Sequence, residues 1–146
     1  MLPVRLVVAV LAVGLTTPLL ASDPEQVIGY RKSIMRAIGG HTGALKSIEK
    51  GRVDFTASRA HHARAMVELT GELDQIFPEG SDFGETDALE AIWAKPDAFA
   101  KVVKQSQDAA LAYERALAGG DTAKAFNDLE STCKDCHKDF RKKTER

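Results

Sequence analysis

The chain has 146 residues, with 20 Lys and Arg set against 21 Asp and Glu for a formal net charge of −1. That balance excludes the cationic excess by which nucleic-acid binders hold phosphates. Hydrophobic residues make up 44% but aromatic ones only 6%, so the length allows one domain whose core is short of large fillers.

Residues 1–21 place a single basic residue, Arg5, ahead of an apolar stretch that is broken by Gly14, Thr16, Thr17 and Pro18 and ends at the small Ala21. A membrane anchor needs about 20 unbroken apolar residues; this pattern is that of a secretory signal peptide. Cleavage after Ala21 or Ser22 leaves residues 22–146 as the mature domain. It removes Arg5 as the only charged side chain, so the charge falls from −1 to −2. The expected destination is the periplasm, with no stable membrane span after processing.

Ser22-Asp23-Pro24-Glu25-Gln26 supplies a capping Asp and a Pro for the first helical turn. Val27, Ile28, Ile34, Met35, Ile38, Leu45 and Ile48 then recur at helical steps toward Gly51. Gly39, Gly40 and Gly43 each cost such a helix ~1 kcal/mol against Ala, which predicts close approach by another group or a local distortion. A second helix is predicted from Asp54 to Ile76, ending before Phe77-Pro78. Glu79 to Ile92 is rich in turn formers and is the long connection, with a short turn around Asp87 to Trp93. Lys95-Pro96-Asp97 opens a third helix with Phe99, Val103, Ser106, Ala110 and Tyr113 inward, closed by Gly119-Gly120. Asp121 or Thr122 caps a fourth, which carries Phe126, Leu129, Cys133, Cys136, His137 and Phe140. The basic run Arg141, Lys142, Lys143 and Arg146 is read as its solvated last turn. With no strand signal, the fold expected is all-α: an antiparallel up-and-down four-helix bundle.

Two cysteines in an exported chain would ordinarily suggest a disulfide. Here they form Cys133-Lys134-Asp135-Cys136-His137, the C-x-x-C-H pattern of c-type haem attachment. Thiols at i and i+3 share one helical face and can form thioethers to the two vinyl groups of one porphyrin edge, while His137 at i+4 is held beneath the ring as the proximal iron ligand. A thioredoxin-type redox pair would stand at a helix start beside a βαβ pattern, which is absent. A zinc site needs about four ligands, and His41, His61 and His62 stand at no finger-like spacing from the cysteines. One covalent haem c on the C-terminal helix is therefore expected, and a buried porphyrin would supply the missing apolar volume.

The attachment motif followed by Phe140-Arg141-Lys142-Lys143, the run Tyr30-Arg31-Lys32-Ser33-Ile34-Met35 leading into Gly39-Gly40-His41, and Ile92-Trp93 together resemble the class II cytochromes c. This group comprises the cytochromes c′ and their low-spin c-556 relatives, and the resemblance spans the whole mature chain. It implies a left-handed bundle, with a homodimer as a possible assembly. It also implies that Met35 faces the distal side of the iron, that Arg31 lies near a haem propionate, and that Arg141 is a basic residue on the proximal side.

Met35 separates two functions. With its sulfur on iron the site is His137/Met35, six-coordinate, raised in potential and suited to electron transfer with a redox partner protein. With Met35 only packed over the ring, the iron is five-coordinate and open to NO or CO. An enzyme such as a peroxidase needs a distal acid–base group, which Met35, Ile34 and Ile38 do not provide, so no enzymatic activity is expected. The other residues receive plainer readings. His41 belongs to the polar face or the propionate side, His61 and His62 to a solvated face among Arg59 and Arg64, Phe77 and Trp93 to packing at the bundle end. Tyr113 is read as a core-edge residue, with a propionate contact as the alternative.

Overall fold

The computed structural model describes residues 23–143; the signal segment, its cleavage point and Arg146 lie outside the described residues. The first helix, α1 (Pro24–Glu49), begins where the sequence places it: Asp23 Oδ1 accepts the Glu25 N–H at 2.9 Å, and Pro24 fills the first turn, where no N–H is needed. It runs unbroken through its glycines. The expected distortion is absent, and a Cβ added at Gly39, Gly40 or Gly43 would meet no protein atom within 4 Å; Gly39 instead faces the cleft.

The second helix is shorter than predicted. A 3₁₀ turn (Thr56–Ser58) leads into α2 (Arg59–Thr70), and from Gly71 the chain continues in i→i−3 bonds such as Leu73 N to Thr70 O at 3.2 Å. The reason is local: Thr70 Oγ1 bonds the Met66 carbonyl at 2.7 Å, and a Cβ at position 71 would press on Glu68 O at 3.1 Å. Leu73 and Ile76 stay buried, since the tighter turns preserve the inward face. The predicted turn at Asp87 to Trp93 contains a short helix, α3 (Ala91–Ala94). Then follow α4 (Pro96–Ala116) and α5 (Thr122–Phe140), the latter capped by Asp121 Oδ1 on Lys124 N at 2.9 Å.

The four long helices close a ring of neighbours, α1 on α2, α2 on α4, α4 on α5 and α5 back on α1, with short links joining α1 to α2 and α4 to α5 as in an antiparallel bundle. The ring encloses Leu45, Ala63, Met66, Ala110, Tyr113, Phe126 and Leu129, all with no exposed surface. Each large apolar side chain there is worth about 1.5–3 kcal/mol. The α1/α5 seam is the loosest.

The chain end differs from its sequence reading. Arg141 is already extended, and it and Lys142 leave the helix to pair with the long connection: Leu89 N donates to Phe140 O at 3.0 Å, Lys142 N to Asp87 O at 2.8 Å, and Lys142 Nζ to Thr86 O at 2.8 Å. Ala88 and Arg141 form an isolated β-bridge. The basic run is thus partly a strap holding the connection against α5. Among the described residues no helix is long and apolar enough to cross a membrane.

Candidate functional site

Where α1 and α5 separate, a cleft of about 520 Å³ opens, within the ~300–1,000 Å³ of cofactor-sized sites. Arg31, Met35 and Gly39 line it from α1, at four-residue steps that put them on one helical face. Cys136, His137, Phe140 and Arg141 line it from α5 and its end, and Phe77, Ile92 and Phe99 add apolar wall. Stacked edges continue that wall, Phe77 to Phe99 at 5.0 Å and Phe99 to Phe140 at 5.2 Å between ring centroids. Cys133, one turn before Cys136, is half-buried and is not among the lining residues; both cysteines are free thiols.

Burial pushes both thiols up, Cys136 to about 11 with help from Cys133 and Asp139. His137 keeps an exposed surface, yet desolvation along the cleft and then Arg141 lower its pKa. Both causes favour the neutral imidazole, the form that binds iron.

Arg31 is 3% exposed. Its Nη1 donates to Ile76 O at 3.3 Å and Ser81 Oγ at 2.9 Å, and its Nη2 to Ser81 O at 2.8 Å and Thr86 Oγ1 at 2.9 Å. Phe77 lies under the guanidinium at 4.8 Å and Trp93 at 5.9 Å. Trp93 Nε1 donates to Phe77 O and Pro78 O, both at 3.1 Å. Phe77 and Trp93 are packing anchors, as expected, but what they anchor is Arg31 and the cleft. Every acceptor on Arg31 is uncharged, and among the described residues no carboxylate pairs with it. Ser81 and Thr86 were not legible as its partners, because 50 and 55 residues separate them from it.

These features fit a covalent haem. A buried cation without a carboxylate lines the same cleft as an imidazole biased toward its neutral form and a thiol, and a porphyrin held there would offer propionates to the first and iron to the second.

Two sequence readings change in detail. Tyr113, read as a core-edge residue, lies fully within the core, and its hydroxyl donates to Glu49 Oε1 at 2.7 Å. Glu49, whose side chain is 4% exposed, also accepts from Thr122 Oγ1 at 3.0 Å and lies 2.8 Å from Arg59 Nε. One carboxylate thus joins α1, α2, α4 and α5. The second change concerns His41 and His62, which are half-buried and face each other with Nδ1 atoms 2.9 Å apart, while His61 is exposed as expected. Desolvation, then His41 and His61, lower the pKa of His62.

Comparison with known proteins agrees with this construction. The family model described as Cytochrome C′ matches residues 26–141. The chain is 40% identical over 124 residues to a cytochrome c′ of Pararhodospirillum photometricum, covering 82% of this chain and 99% of the relative. It is 35% identical over 117 residues to a cytochrome c-556 of Agrobacterium fabrum, covering 77% and 79%. Among solved structures, a nitric oxide complex of a variant cytochrome c prime from Alcaligenes xylosoxidans superposes with a TM-score of 0.78 at 26% identity, covering 86% of this chain and all of that one. A haem-attachment helix closing a four-helix ring, matched along nearly the whole described chain, makes this protein a member of the cytochrome c′ family, a class II cytochrome c carrying covalently bound haem c.

Proposed function

We propose that the protein is a periplasmic electron carrier whose haem is joined to Cys133 and Cys136 and whose iron is ligated by His137 on one side and Met35 on the other. The observation that carries this reading is that Met35 on α1 and His137 on α5 line one cleft from opposite helices. The haem, when bound, supplies a one-electron iron centre; the protein sets its potential and access. A thioether is a soft neutral ligand that favours the ferrous state and raises the potential. Arg31, held rigidly and lacking a carboxylate, is assigned to a propionate, and Arg141 to the proximal rim beside His137. Its partner is a redox protein.

A second reading has its own support. Met35 packs against the buried apolar cluster, and the Alcaligenes relative takes nitric oxide. In that reading Met35 only covers the ring and the distal position binds NO or CO.

Absorption spectra of the purified protein in both oxidation states decide between them. A sharp split α/β pair on reduction and a weak long-wavelength thioether band when oxidised support His137/Met35. A broad high-spin spectrum with rapid CO binding replaces the electron carrier with the gas binder.

A further inference from the structure

Outside the cleft, three of the four histidines gather across the α1/α2 seam. His41 stands on α1, and His61 and His62 on α2, with ring centroids 5.1, 5.4 and 6.0 Å apart. None of the three lines the cleft.

The spacing has a chemical meaning. With metal–nitrogen bonds of about 2.0–2.1 Å, two imidazole nitrogens in cis positions at about 90° stand about 2.8–3.0 Å apart. His41 Nδ1 and His62 Nδ1 are 2.9 Å apart in a mutual hydrogen bond, which an ion would replace once both nitrogens are free of protons. Rings sharing one ion at about 90–120° would have centroids about 4.5–5.6 Å apart by the same bond lengths. The His41–His62 and His61–His62 pairs fall in that range, and the 6.0 Å His41–His61 pair falls just outside it. Accordingly, no group of three donors among the described residues already converges on a metal-sized point. The exposed His61 ring needs a side-chain rotation to join the other two.

We propose that His41 and His62 chelate a divalent late transition-metal ion, copper(II) foremost, with His61 closing on it as a third ligand. Two neutral imidazoles in cis suit tetragonal copper(II), which also heads the affinity order for nitrogen sites. The ion would clamp α1 to α2, and it does so independently of the haem.

The test uses haem-loaded protein stripped with chelator and titrated with copper(II) by calorimetry and electron paramagnetic resonance. One ion binds per chain, with nitrogen hyperfine structure and a raised melting temperature. His41→Ala and His62→Ala each weaken binding more than tenfold, and His61→Ala weakens it less. Helicity and the haem spectrum of each variant show that it is folded. For any variant that is not, protection of wild-type His41 and His62 from diethylpyrocarbonate by copper(II), mapped by mass spectrometry, gives the same answer. Binding unchanged in the His41→Ala/His62→Ala double variant, or absent from the wild type, leaves only an Nδ1–H···Nδ1 hydrogen bond and overturns the proposal.

Discussion

Arg31 grips Ser81 at two atoms, the hydroxyl at 2.9 Å and the carbonyl at 2.8 Å. Through this one residue α1 fixes the connection that walls the cleft. Arg31→Ala strands two hydroxyls and two carbonyls and is expected to cost about 3 kcal/mol. Arg31→Lys recovers less than half, since an ammonium cannot reproduce a fork of four bonds. Urea unfolding and amide exchange across residues 76–88 check this. A loss under about 0.5 kcal/mol would show that the connection is held by other contacts.

Met35→Ala is expected to give a high-spin, five-coordinate haem with a lower reduction potential and measurable CO binding, because the soft sixth ligand is gone. Met66 is the control: it is fully buried, and its sulfur accepts from Thr42 Oγ1 at 3.7 Å. Met66→Leu should leave the spin state alone. Identical spectra for wild type and Met35→Ala would remove Met35 from the iron.

The Tyr113–Glu49 bond sets an alkaline limit. Burial first, and then Glu49, raise the Tyr113 pKa above its ordinary 10.0. The unfolded chain therefore releases this proton earlier as pH rises, so stability present below pH ~10 is lost on climbing toward the folded-state value. Tyr113→Phe should cost about 1.5–3 kcal/mol at neutral pH and flatten the decline above pH ~10. Denaturant midpoints across that range measure both, and a decline equally steep in Tyr113→Phe would assign it to other groups.

Replacing Cys133 and Cys136 together by Ser should release the haem to acid–acetone extraction, since no thioether remains. Chain made without the attachment machinery should exchange amides fast along the cleft yet stay protected around Leu45, Met66 and Phe126, which are fully buried among the helices and do not line the cleft. Uniform rapid exchange would show that haem organises the entire bundle.

The sequence by itself determined the helices, their caps and the attachment site, because these rest on short-range rules: a capping Asp, a Pro in the first turn, a 3.6-residue apolar period, and cysteines and histidine within one helical turn. The second helix was overestimated for a similar reason. Apolar periodicity persists through Leu73 and Ile76, although the hydrogen bonds there have already tightened to i→i−3. Only the tertiary structure could decide that Arg31 meets Ser81 and Thr86, that Glu49 gathers Tyr113, Thr122 and Arg59, and that His41 faces His62. Those partners are brought together by helices packing side by side. Burial then makes the Arg31 and Glu49 pairings obligatory, because a charge or polar group taken out of water without a partner costs several kcal/mol.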